Sequence, residues 1–111
     1  MRLDKLKALE QYLQREFDVN DTLKLLKLHS LYLATWGAHN YVNVQNKGLM
    51  FSVQGHHHKG KVLVSLKWDD TYIVTLINTQ NNVKESFENI YCDELADFID
   101  RKVERIADYV R

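Results

Sequence analysis

The chain has 111 residues with no proline, one cysteine and a formal net charge of zero at pH 7. A chain of this length can bury a core of its own, so we expect residues 1–111 to form a single domain that needs no disulfide or metal for stability. Cys92 has no partner for an internal bridge, which argues against a disulfide-rich secreted scaffold. No stretch approaches the roughly 18 apolar residues of a membrane span, which argues against a membrane protein. Together these features favour a cytoplasmic protein.

The N-terminal segment is predicted to be helical. Its apolar residues recur at three- and four-residue spacing, which is typical of a helix with one buried face. These residues are Leu3, Leu6, Leu9, Tyr12, Leu13 and Phe17. We therefore expect a first helix over residues 2–17.

A second helix is expected in the leucine-rich segment 21–35. Asp18 or Asn20 is a suitable N-cap for it, because a short side-chain oxygen can accept from the free N–H groups of the first turn. Gly37 suits the C′ position, where a left-handed backbone ends many helices. A strand over residues 29–36 stays open as an alternative, because a segment this rich in leucine shows no clear period.

Two short apolar runs, residues 41–45 and 49–54, are separated by a turn sequence and predict a first hairpin. An even, two-residue loop would place four apolar side chains on one face of this hairpin: Val42, Val44, Phe51 and Val53. Glycines at both ends of residues 55–60 mark the next connection as a loop. It contains three consecutive histidines.

Residues 61–68 and 71–78 alternate between apolar and other side chains and predict a central hairpin. Asp69 and Asp70 suit a two-residue type I′ turn poorly, because both of its central positions need positive φ. We therefore expect an odd loop, which would join one apolar face from Val62, Val64, Leu66, Trp68, Tyr72, Val74 and Leu76. A weaker, charged run over residues 83–91 has the pattern of an edge strand.

The C-terminal segment is predicted to be an amphipathic helix over residues 93–110, with Asp93 as its N-cap. The expected order is thus two helices, about five hairpin-linked strands and one helix. This order indicates the α+β class, with two N-terminal helices, an antiparallel β-meander and a C-terminal helix packed on the sheet.

The charges are distributed unevenly along the chain. Between Asp21 and Asp69 there is no acidic residue, and this interval contains six lysines and all five histidines. From Asp69 onward, ten acidic residues stand against five basic ones, a formal −5. These complementary halves favour a non-enzymatic module for protein–protein interaction or self-association.

Nucleic-acid binding through the basic segment 22–68 is the alternative function, because lysines can neutralise phosphates and aromatic rings can stack on bases. A third interpretation is that the basic segment only complements the acidic helix of its own domain. The candidate binding residues are Lys47, His56, His58, Lys59, Lys61, Trp36 and Tyr41.

His56 and His58 raise the hypothesis of a metal site with His39 as a third ligand, although three adjacent histidines are more typical of a solvated turn. Cys92 precedes a predicted helix, but no general base lies near it in the sequence. The chain contains no phosphate-binding glycine loop, no paired Cys-x-x-Cys and no hydrolase motif. We therefore expect no catalytic residues, no metal, no cofactor and no enzymatic activity.

Overall fold

The computed structural model describes residue 7 and residues 9–104. Its centre is a five-stranded antiparallel sheet in which the strands lie side by side in chain order. The helices and strands are α1 (Val19–Lys27), α2 (Ser30–Trp36), β1 (His39–Val44), β2 (Gly48–Gln54), β3 (Lys59–Leu66), β4 (Tyr72–Ile77), β5 (Val83–Ile90) and α3 (Leu95–Val103). The predicted α+β class, with two helices before the meander and one after it, is confirmed.

One face of the sheet packs against all three helices. The main core fills this interface with alternate residues of β2, β3 and β4 and with the apolar stripes of the helices. Its largest fully buried side chains include Trp36, Phe51, Leu26, Leu49, Leu76, Leu95 and Ile99. The helices therefore bury one side of the meander, as the alternation of the strands predicts.

The opposite face carries a second, smaller core. Leu9 and Leu13 from the N-terminal segment pack there against Met50, Leu63 and Ile77. Gly48 permits this approach, since a Cβ at this position would lie 2.9 Å from the Leu13 side chain. The N-terminal segment thus covers part of the face that the three helices leave open.

The predicted helix over residues 2–17 is wrong in its second half. A 3-10 turn, Glu10–Tyr12, follows the helical Leu9, and residues 13–18 are irregular. The chain leaves the helix to cross from the second core, which contains Leu13, to the main core, against which Phe17 packs. The Phe17 N–H donates to the Asn46 carbonyl in the β1–β2 turn at 2.9 Å. Residues 1–6 and 8 lie outside the described residues.

The predicted second helix is divided into α1 and α2. Asp18, one of the two predicted N-caps, caps α1 and accepts from the backbone N–H groups of Asn20 and Asp21 at 3.0 and 3.3 Å. His29, with φ −111° and ψ 55°, breaks the helix. Gly37 ends α2 with a left-handed φ of 64°, which confirms its C′ role, and the strand alternative for residues 29–36 is wrong.

The central hairpin has the predicted odd connection and, apart from Trp68, the predicted apolar face. Val64 lies opposite Val74 and Leu66 lies opposite Tyr72, so the odd connection 67–71 joins one apolar face. Trp68 is the exception: β3 ends at Leu66, and the Trp68 side chain is 75% exposed.

The first hairpin has a different register from the predicted one. Val44 lies opposite Gly48 across a three-residue loop, so Val42 and Val44 share a face with Met50 rather than with Phe51. Gln45 and Asn46 both have positive φ, 56° and 58°, as the centre of a type I′ turn requires. The centre of the turn therefore lies two residues before Lys47-Gly48, the pair at which the sequence predicts an even loop.

The C-terminal helix begins differently from the prediction. A 3-10 turn, Cys92–Glu94, precedes α3, and the Glu94 carboxylate accepts from the Tyr91 N–H at 3.1 Å, so Asp93 is not the N-cap. The part predicted to be helical after residue 104 lies outside the described residues.

Within residues 9–104, no helix is both long enough and apolar enough to cross a membrane.

Candidate functional site

The predicted binding residues lie at opposite ends of the sheet. The end that contains the β2–β3 loop, residues 55–58, also contains the β4–β5 turn, residues 78–82, and the C-terminus of α3; we call it the loop end. Four of the candidates, His56, His58, Lys59 and Lys61, are there. Lys47 lies in the β1–β2 turn at the other end, roughly 20 Å away along a seven-residue strand.

The six lysines of the basic interval do not form one patch. Lys24 and Lys27 are on α1, which covers one face of the sheet, whereas Lys61 lies on the opposite face and donates to Asn81 Oδ1 at 2.6 Å. At the end away from the loop end, Lys67 Nζ lies 3.9 Å from Asp69 and 3.7 Å from Glu88. Their positive charge is therefore dispersed over both faces and both ends.

The two aromatic candidates differ in burial: Trp36 belongs to the main core, and Tyr41 packs against it while partly exposed. Trp36 is fully buried, and its indole Nε1–H donates to the Asp100 carboxylate at 2.9 Å. Tyr41 is half-buried, with its ring 5.6 Å from that of Phe51, and burial raises the pKa of its hydroxyl. Trp36 is thus inaccessible to a base, and Tyr41 offers only part of its ring.

The β2–β3 loop, residues 55–58, which we call the histidine loop, is hydrogen-bonded to the C-terminal end of α3. The backbone N–H of His57 donates to the Val103 carbonyl at 2.7 Å, and that of His56 donates to the Glu104 carboxylate at 2.6 Å. Gly55 permits this contact, because a Cβ there would collide with the Val103 side chain and carbonyl. The loop is therefore held by specific contacts, unlike the solvated turn suggested by three adjacent histidines.

His58 points inward and is only 2% exposed. Its Nε2–H donates to the Lys61 carbonyl at 3.0 Å, whereas its Nδ1 has no hydrogen-bond partner. Burial lowers the pKa of His58 below 6.5; the bond to Lys61 raises it in part, while the charges of Lys84 and Glu85 act in opposite directions. The lowered pKa therefore favours the neutral form of the His58 ring in the folded protein.

This lowered pKa predicts a pH-dependent stability. The unfolded chain takes up a proton on His58 at a higher pH than the folded chain does. The free energy of unfolding should therefore have its full value above about pH 6.5 and should decrease as the pH falls below it. One proton gives a slope of at most about 1.4 kcal/mol per pH unit. Urea unfolding of wild type and His58→Gln at several pH values measures this, with the exposed His56→Gln as control. An unchanged slope in His58→Gln would assign the pH dependence to other groups.

The hypothesised metal ligands do not come together. His58 is buried in the loop, His56 is exposed, and His39 Nδ1 donates to the Gly37 carbonyl at 2.7 Å. In the part of the chain that the structure describes, no group of three or more His, Cys, Asp or Glu residues is arranged to hold a metal ion.

A cleft of about 380 Å³ opens at the loop end, on the face opposite the three helices. Of the predicted binding residues, Lys59 and Lys61 line this cleft. The polar side chains beside them are not predicted from the sequence. Its lining consists of His39, Ser52, Val53, Gln54, Lys59, Gly60, Lys61, Asn78 and Thr79. None of these residues is acidic, so the cleft has a positive character.

A second exposed feature is the corner between α1 and α2. Leu28 and Leu31, which lie in the leucine-rich segment 21–35, are 79% and 78% exposed. The His29 ring stacks on that of Tyr32 at 5.8 Å beside them. We call Leu28 and Leu31, with Lys24 and Lys27 on α1, the helix corner. The break that exposes the two leucines has no clear signal in the sequence.

Comparisons of the chain with protein-family models, with curated proteins and with solved structures give no match.

Proposed function

We propose that this chain is a small, non-enzymatic protein-interaction module that self-associates through the helix corner. The observation that carries the proposal is the pair of neighbouring leucines, each almost four-fifths exposed. Docking them against another protein surface would remove apolar area from water, at about 1.5 kcal/mol or more per leucine.

The partner surface that we propose is the acidic turn of a second copy. Lys24 and Lys27 give the helix corner a positive rim, and neither forms an ion pair within the described residues. The segment Tyr91–Glu94 offers the complement, because it exposes an aromatic ring beside Asp93 and Glu94. Apolar contact inside a complementary charged rim is the usual composition of a protein interface.

These two surfaces are different patches of the same molecule, so the contact is heterologous. Such contacts build rings or open chains rather than a twofold dimer. The proposed assembly should therefore grow with protein concentration and weaken with added salt, because the charged rim is screened.

Replacing Leu28 and Leu31 together by serine is expected to weaken self-association about a hundredfold, because two apolar anchors are lost. The monomer should keep its free energy of unfolding, since neither side chain is buried in it. Sedimentation equilibrium over a range of protein and salt concentrations measures the association.

The matched control is Val42→Ser, which truncates an exposed apolar side chain on the edge strand β1. This variant should associate like wild type. A wild-type chain that stays monomeric at every concentration, or a double variant that associates unchanged, would contradict the proposal.

Nucleic-acid binding through residues 22–68 is the second candidate function. Lys59 and Lys61, side by side in a cleft without carboxylates, favour it. The dispersal of the other lysines and the burial of Trp36 count against a continuous phosphate and base surface.

The exposed free thiol of Cys92 is compatible with the cytoplasmic location that we propose.

A further inference from the structure

We propose that the cleft at the loop end is a binding site for the phosphate group of a small phosphorylated molecule. This site is separate from the helix corner: it lies on the opposite face of the sheet and is made by β1, β2, β3 and the β4–β5 turn. The inference therefore does not depend on self-association.

The charges of the cleft favour an anion. The side chain of Lys59 forms no hydrogen bond or ion pair with any described residue, so its ammonium group is available to a ligand. Lys61 donates to the neutral amide of Asn81, which positions the ammonium group without cancelling its charge. Two cations without a carboxylate in the lining leave a positive charge that an anion would neutralise.

Several neutral hydrogen-bonding groups accompany the two lysines. Ser52 lies directly opposite Lys61 in the sheet, and Gln54 lies opposite Lys59. Thr79 approaches from the β4–β5 turn. Hydroxyl and amide donors from two segments suit the oxygens of a phosphate, which accept from several directions, better than the two oxygens of a carboxylate.

The framework of the cleft is held in place before any ligand binds. Gly60 has a φ of 138° and lies so close to the Ile77 carbonyl that a Cβ would collide with it. Asn78 fixes the neighbouring turn, because its side-chain oxygen accepts from the backbone N–H groups of Gln80 and Asn82, each at 3.0 Å. A site that does not have to be ordered on binding loses less affinity to conformational entropy.

The volume and apolar parts of the cleft limit the size of the ligand. About 380 Å³ is near the lower end of the range for small-molecule sites. The methylene chains of Lys59 and Lys61 add apolar surface for contact with a small organic body. The ligand class is therefore a compact phosphate monoester.

The test is a titration of the full chain with phenyl phosphate, followed by the backbone amide signals in NMR spectra. We expect saturable shifts at the amides of Ser52, Gln54, Gly60 and Thr79, and at least a tenfold loss of affinity in Lys59→Ala. Lys47→Ala is the matched control, because it removes a lysine from the opposite end of the sheet, and it should bind like wild type. Sodium chloride at equal ionic strength should produce no saturable shift.

Three results would overturn the proposal. The first is the absence of saturable shifts at these amides. The second is an equal loss of affinity in Lys47→Ala and Lys59→Ala, which would show general charge attraction. The third is saturation of the same amides by an oligothymidine without a terminal phosphate when phenyl phosphate has no effect, which would assign the cleft to a nucleic-acid backbone.

Discussion

Replacing Trp36 by alanine is expected to lower the free energy of unfolding by about 3–5 kcal/mol. Trp36 is fully buried at the contact between α2, α3 and the sheet, where its ring lies 6.4 Å from that of Phe51. The alanine variant would leave a cavity there. It would also remove the Nε1–H that donates to Asp100, a carboxylate only 1% exposed.

The matched control is Trp68→Ala, the same substitution at the other tryptophan. Trp68 is 75% exposed, and its ring contacts the Arg15 guanidinium at 5.5 Å from the ring centroid. Loss of this contact should cost about 1 kcal/mol or less. Urea unfolding followed by circular dichroism compares the two variants without relying on tryptophan fluorescence. Similar losses in both would show that the burial of Trp36 does not govern its contribution.

These two tryptophans illustrate what the sequence could and could not predict. Trp68 continues the apolar alternation of β3, so the pattern placed it in the core, but the strand ends at Leu66 and the chain turns away. The sequence predicts a surface role for Trp36 because this residue lies in the interval 22–68, which contains six lysines and no acidic residue. Proximity along the chain does not determine burial, because the helix break at His29 sets which side of α2 meets the sheet.

The features that were predicted correctly depend on local chemistry. Asp18 caps α1 and Gly37 ends α2, because each has the side chain, or the lack of one, that its backbone position needs. The odd length of the β3–β4 connection follows from the poor fit of Asp69-Asp70 to a two-residue turn. The predicted β1–β2 register was wrong because Gln45, which is not a favoured turn residue, adopts positive φ.

The candidate sites show the same limit. The pattern of β2 and β3 places Ser52 and Lys61 on strands that could pair, but the sequence does not bring the β4–β5 turn beside them. The contact of the histidine loop with α3 joins residues that are 46 and 48 positions apart, between His57 and Val103 and between His56 and Glu104. Such long-range contacts determine the cleft and the state of His58, and no local signal encodes them.

Substituting Gly60 by alanine is expected to destabilise the chain by about 3 kcal/mol or more. Its φ of 138° is a region that only glycine adopts without strain, which by itself costs about 1–3 kcal/mol in another residue. An alanine Cβ would also meet the Ile77 carbonyl and would lie 3.2 Å from the Asn78 Cα. Both obstacles are backbone atoms of the neighbouring chain segment, so relief requires the β3–β4 pairing itself to move.

Gly37→Ala is the control that separates these two causes. Gly37 also has a positive φ, 64°, but a Cβ there would lie 3.7 Å from the Gln54 Cβ, an ordinary contact. Its cost should be the left-handed strain of about 1–2 kcal/mol, reduced by the smaller entropy of the unfolded alanine chain. Urea unfolding of both variants gives the difference. Equal losses would mean that backbone strain alone accounts for Gly60, whereas a larger loss at Gly60 would show that the close approach of β3 to the end of β4 requires a residue without a side chain.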